Sequence, residues 1–242
     1  MTNQSSRNKS NITKITITAM LTAVAVVLQY IEMPVPLVPS FLKLDFSDIP
    51  ELIGAFVISP IYGVIICLLK NLIHLPFGSS VGVGEFANFL FGAVFAFTAG
   101  IIYKKNKTKK TALIACLAGA LAMSVLSVAI NYFIVYPAYA QLWAGGDMNI
   151  IISMYKTILP ASDNLIKSLI IFNLPFTFVK GIIDAIITML IYKPLSNMFV
   201  KMNTAINKNP KNELTYFIIY NKIRTVIYFK GDVPYEHKTE RK

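Results

Sequence analysis

The stretch IPELIGAFVISPIYGVIICLLKNLIHL, Ile49 to Leu75, decides how the chain is read. An α-helix rises ~1.5 Å per residue and a hydrocarbon core is ~30 Å thick, so this run is too long for one crossing and too short for two ordinary ones. Ser59-Pro60 resolves it. Proline after a short polar residue ends one helix and opens the next, which predicts a short span from Asp48 to Ile58 and a longer one from Pro60 to Leu75.

Upstream, the first apolar run extends from about Ile12 to Ile31 and stops at MPVPLVP, where closely spaced prolines remove helix donors. Its length, and the lack of a small-residue cleavage site before a polar mature start, mark it as a retained helix rather than a signal peptide. Downstream, Gly84–Tyr103 and Thr111–Tyr136 read as the fourth and fifth spans, and Pro175 opens a sixth that ends at Tyr192, before Lys193-Pro194. The connection between Pro137 and Leu174 is long, and within it Met148–Leu159 and Leu165–Phe172 read as short helices on the membrane surface.

Composition agrees with an all-α integral membrane protein of six transmembrane helices. Apolar residues make up 55% of the 242-residue chain and charged ones 14%, and Ile15 to Leu28 carries no charge at all. The net charge of +11 would suit nucleic acid only if the basic residues formed one solvated face, whereas here they punctuate apolar runs. Cys67 and Cys116 lie inside such runs, without ligand spacing, and read as small buried hydrophobes.

Lysine and arginine near span ends set the orientation. With both termini cytoplasmic, Met1–Lys14, the Ser59-Pro60 turn, KKNKTKK (Lys104–Lys110) and everything beyond Tyr192 face inward and hold 18 of the 23 basic residues. The organisation expected is a cytoplasmic arm over 1–14, a six-helix domain over 12–196, and a basic cytoplasmic tail over 201–242. Within the tail, Thr215–Phe229 has a β-favouring composition that is too short and too charged to span.

Polar groups inside a membrane are expensive, so their placement carries information. On this topology Asp45, Asp48, Glu51, Asn71, His74, Glu85, Asn88 and Asn131 all fall toward the outer ends of their spans. Lys180 lies roughly 8 Å below the outer end of the last one. Taken singly, His74 also suits a headgroup-level hydrogen bond, Lys180 and Asp184 an i, i+4 pair, and Lys43 with Asp45 a solvated loop. Taken together they imply an outward-facing polar pocket between helices, capped by the loop SFLKLDFSDIP. Val35, Leu37, Val38, Phe41, Phe86, Phe89, Tyr132, Phe133 and Phe176 offer it apolar and aromatic lining, which a flat heteroaromatic ligand with a polar tail would suit; lipid-facing interface positions are the other reading of these residues. No P-loop, H-E-x-x-H or G-x-S-x-G pattern is present, and the glycine-rich GSSVGVGEF (Gly78–Phe86) reads as a tight outer turn, not a dinucleotide fingerprint. On the first span Ala19, Ala23 and the neighbouring Thr22 form a small-residue face that lets a partner helix approach.

The chain resembles the substrate-binding S components of energy-coupling factor (ECF) vitamin transporters, and closely the riboflavin-specific ones. The matching pieces are FLKLDFSDIPELIGAF (Phe41–Phe56), the turn Ser59–Gly63, LLKNLIHL (Leu68–Leu75), GSSVGVGEFANFLFG (Gly78–Gly92), NYF (Asn131–Phe133) and PFTFVKG (Pro175–Gly181). The resemblance implies a multi-pass cell-membrane protein that binds riboflavin from outside, under the loop joining the first two helices. It would deliver the vitamin through a transmembrane coupling subunit and two ATPase subunits, with no cofactor or metal and no reaction of its own. By the same resemblance Lys180 and Asn131 match binding positions, and Thr177 stands where the pattern has asparagine, keeping one donor and one acceptor but losing the amide's reach. Glu85 and Asn88 match its GE-x-AN segment. Leu42, Lys43, Asp45 and Asn71 complete the expected site, and Ala19 and Ala23 match the docking face for the coupling subunit. Two other functions fit the residues: an S component for another vitamin, suggested by Thr177, and a stand-alone ion-coupled carrier, suggested by Lys70, Lys180 and Asp184.

Overall fold

A computed structural model describes residues 2–208, apart from 37, 40, 41 and 79. The chain begins with α1 (Thr2–Tyr30), whose segment Asn11–Tyr30 is apolar and long enough to cross a membrane. A small antiparallel ribbon follows, β1 (Met33–Pro34) against β2 (Lys43–Leu44), with Met33 opposite Leu44. Then come α2 (Asp48–Val57), α3 (Pro60–His74) and α4 (Val83–Lys105). The fifth rod is α5 (Lys109–Ile130), a π turn (Asn131–Val135) and α6 (Tyr136–Trp143) in one line. After the short helix α7 (Met148–Ile158), the last rod joins α8 (Leu165–Ser168), a second π turn (Leu169–Asn173) and α9 (Leu174–Lys208). Among the described residues four segments are long and apolar enough to cross a membrane, 11–30, 83–105, 109–143 and 165–192.

The break at Pro60 is where the sequence places it. Pro60 occupies the start of α3, where a missing N–H costs nothing, and Ser59 before it is extended. The two short helices fold back on each other and pack on α4 through small residues. A Cβ built on Gly63 would lie 2.8 Å from both Ala55 Cβ and the Glu51 carbonyl, one on Gly92 2.7 Å from Cys67 Sγ, and one on Gly100 2.9 Å from Pro60 Cα. Pro60 against Gly100, Gly63 against Ala96 and Cys67 against Gly92 run down α3 as they run up α4, so that pair is antiparallel and in close backbone contact. Cys67 and Cys116 are buried free thiols.

Three expectations require correction. The fifth and sixth spans do not break at Pro137 and Pro175: the helices run on to Trp143 and begin at Leu165. Each proline sits two residues beyond a π turn, where Tyr136 N–H reaches Asn131 O and Leu174 N–H reaches Leu169 O, five residues back. The wider turn accommodates a ring that would clash in a regular helix. Consequently Leu165–Phe172 is part of the last rod, not a separate short helix, while Met148–Ile158 is a helix of its own. Finally, although the apolar span ends at Tyr192 as expected, Pro194 does not stop the helix, which runs through it to Lys208. The β-favouring segment Thr215–Phe229 lies outside the described residues.

Packing is layered. Toward the Lys104–Lys110 end, Phe56, Phe95, Tyr103, Cys116 and Met123 form one cluster, with the Tyr103 and Tyr192 hydroxyls 2.9 Å apart. Toward the other end, Tyr136, Tyr155, Leu169 and Phe172 form a second, and Ile17, Leu21, Ile53 and Ile66 join α1 to the short pair. The seam between these clusters is where polar side chains are admitted.

Candidate functional site

Asp48 is the residue on which the site is built. It opens α2, whose positive dipole end suits a carboxylate, but its partners are two lysines from elsewhere in the chain. Lys70 Nζ lies 3.1 Å from Asp48 Oδ1 and 2.6 Å from Glu51 Oε1. Lys180 Nζ bonds Asp48 Oδ2 and lies 3.4 Å from Asp184 Oδ2 and 3.6 Å from Asp45 Oδ2. Asp45 is turned inward by its own local turn: Ser47 N–H donates to Asp45 Oδ1 at 2.8 Å, the Ser47 hydroxyl donates to the same oxygen, and Lys70 donates to Ser47 Oγ. Lys70, Asp48, Glu51 and Asp184 are all essentially inaccessible. Charges this deep persist only because each lysine is surrounded by carboxylates.

Above this floor opens a cavity of about 230 Å³. Leu42, Lys43 and Asp45 from the loop, Glu85 and Asn88 from α4, Asn131 from the first π turn, and Thr177 and Lys180 from α9 all line it. Asn71 does not: it is turned into the bundle, accepting from Gln29 Nε2 at 3.1 Å and donating to Cys67 O at 2.8 Å. Lys43 is held at the mouth by Glu32 beside the ribbon. On the opposite wall Glu85 is clamped between His74 Nδ1, at 3.1 Å, and the Ser80 hydroxyl, and the Tyr30 ring lies 4.9 Å from His74. The turn carrying Ser80 passes through Gly82 at φ +85°, a conformation that glycine adopts without steric cost.

The aromatic wall differs from the one expected. Phe86, Tyr132 and Phe133 are exposed on the outside of the bundle, and Leu37 and Phe41 lie outside the described residues. Phe176 faces the cavity as expected, and Phe91, Tyr136, Tyr139 and Trp143 take the place of the others, with Tyr139 and Trp143 stacked at 4.4 Å and 17°. Tyr139 and Trp143 reach the cavity because the helix runs on past Pro137, so they were invisible to a reading that ended it at Tyr136. Gln29 and Ser80 were missed as well, being common polar residues with no motif around them. On α1 Ala19 and Ala23 are exposed on one face, whereas Thr22 is turned into the bundle and does not belong to it.

The chemistry on offer is that of a binding site. Fixed donors and acceptors from several helices ring a space walled on one side by flat aromatic surface, which suits a planar ligand with polar edges.

Comparison with known proteins agrees. A family model described as "ECF transporter, substrate-specific component" matches residues 13–192. The riboflavin transporter RibU of Staphylococcus aureus (strain TCH60) is 33% identical over 76% of this chain and 90% of its own length. The riboflavin transporter FmnP of Bacillus subtilis (strain 168) is 30% identical over 79% and 96%. A solved S component of a bacterial ECF transporter superposes with a TM-score of 0.61 at 35% identity, covering 76% of this chain and 95% of that one.

Proposed function

This chain belongs to the substrate-specific components of ECF transporters, and from that premise we propose that its cavity captures riboflavin for import. The protein is a multi-pass component of the cell membrane, a transporter subunit and not an enzyme. The observation that carries the riboflavin reading is the convergence of Asn131, Thr177 and Lys180, from two rods, beside the stacked Tyr139 and Trp143. A flavin ring presents carbonyl oxygens and a ring N–H along one edge; Lys180 and Asn131 supply donors for the former and Asn131 an acceptor for the latter. Lys180 can serve a ligand carbonyl by exchanging its two longer contacts, to Asp45 and Asp184, while keeping Asp48.

Purified protein is expected to bind riboflavin with submicromolar affinity, read by quenching of flavin fluorescence, and an Asn131→Ala variant to bind roughly tenfold more weakly through loss of one or two hydrogen bonds. Absence of riboflavin binding would overturn the reading. Because Thr177 departs from the resembling proteins' asparagine, a thermal-shift screen across B vitamins separates riboflavin from another vitamin.

The topology proposed has six crossing elements, α2 and α3 counted singly, and cytoplasmic termini. Support comes from Lys104–Lys110, every residue of which is exposed, at the end of α4 away from Glu85 and the cavity. The exposed Ala19 and Ala23 are proposed to receive the transmembrane coupling subunit, which would join two ATPase subunits in driving release inward. Ala23→Leu is expected to abolish co-purification with that subunit while leaving riboflavin affinity unchanged, because the residue is exposed and is not among those lining the cavity.

A further inference from the structure

Tyr155 lies on α7, a helix that lends no residue to the cavity, yet it is completely buried. Its hydroxyl donates to Asn173 Oδ1 at 2.7 Å, and Asn173 Nδ2 donates to Tyr136 Oη at 2.6 Å. The Tyr136 and Tyr155 hydroxyls are 2.5 Å apart. A phenol has one proton, and that of Tyr155 is committed to Asn173, so Tyr136 supplies the proton between the two phenols. The three bonds therefore run one way round a closed ring in which every group both donates and accepts, an arrangement that strengthens each bond. Burial beside the Tyr136 phenol keeps the Tyr155 proton far above the ordinary tyrosine range.

The ring joins the two π turns. Tyr136 follows directly on Asn131–Val135, and Asn173 closes Leu169–Asn173. From these turns hang the cavity's ligand-facing groups: Asn131 opens the first, and Thr177 and Lys180 lie about one and two helical turns beyond the second. A π turn holds one residue more than a regular helix would, and one residue is about 100° of rotation. Relaxation of either turn would swing Asn131 relative to Thr177 and Lys180 by that angle.

We propose that Tyr155 is a positioning residue for the ligand site, holding the two π turns in register so that Asn131 and Thr177 face one cavity. The proposal rests on the reading of that cavity as a riboflavin site. It is tested on the full chain with Tyr155→Phe, which keeps the packing of the ring against Phe172 and removes only the hydroxyl. Riboflavin binding is expected to weaken about tenfold in the otherwise native protein, and by no more than about twofold when Asn131→Ala is already present. Equal weakening in both backgrounds, as a merely structural role gives, overturns the proposal, as does unchanged affinity. A second arm needs no ligand: amide hydrogen exchange should quicken in residues 131–137 and 169–175 and stay unchanged in 60–74, and unaltered exchange in the two turns also overturns it. Asn173→Leu cuts the same hydrogen-bond ring at another corner and is expected to reproduce both results. Should the native protein not bind riboflavin, the functional reading falls, and the exchange arm decides the positioning role alone.

Discussion

An Asp48→Ala variant is expected to lose on the order of 3–5 kcal/mol of stability, the cost typical of removing one partner from a buried ion pair. The reason is specific to this side chain. One oxygen serves Lys70 and the other Lys180, so its removal leaves two buried ammonium groups short of a counter-charge at once. Glu51 still faces Lys70, and Asp45 and Asp184 face Lys180 at greater distance, which limits the loss. Thermal unfolding in detergent is the measurement, with a midpoint lowered on the order of 10 °C. A midpoint within a degree or two of the native protein would mean that the network contributes nothing to folding.

The second large effect is on Lys180, where stability and binding can be separated. Lys180→Met removes a ligand-facing donor and also strands Asp184, which is inaccessible and has Lys180 as its cation. Both riboflavin affinity and melting temperature should fall, the affinity by about 100-fold for a lost charge-assisted hydrogen bond and its positioning. Adding Asp184→Leu removes the stranded carboxylate and is expected to recover most of the stability, since a buried pair replaced by apolar groups is often neutral. It should recover none of the affinity. If the double variant regains binding as well, Lys180 acts only through the fold.

The parts of this architecture that are legible in the sequence are those governed by local chemistry. Pro60 after Ser59 marks the hairpin because a proline opening a helix and a proline breaking one coincide there. That Glu85, Asn88, Asn131 and Lys180 fall at one level follows from counting residues along spans, and all four line the cavity. Two kinds of feature escape such counting. Pro137 and Pro175 have the appearance of helix breakers, and only the hydrogen bonds of the preceding turns reveal that each rod passes through. The partner of Lys180 is the other case: Asp184 is one turn away, but the tightest contact is to Asp48, 132 residues distant in sequence. Asn71 illustrates the converse, a polar residue at the right depth whose helix face points inward to Gln29 rather than to the cavity.

The short hairpin has a consequence for the lipid around the protein. At ~1.5 Å per residue, α2 and α3 are roughly 15 and 22 Å long, against a hydrocarbon thickness of ~30 Å. The shortness of α2 is hidden, because nearly all of it is buried within the bundle. That of α3 is not: Ile61, Leu68, Leu69, Leu72 and Ile73 are exposed along it, while the apolar spans on the other sides run 20 residues or more. On the proposed topology, in which α3 crosses, the bilayer would meet a hydrophobic belt that is lower on one side than on the other, and compensate by thinning there or by letting the protein lean. Acyl-chain length would then be a variable of this protein's resting posture, set by a single proline at position 60.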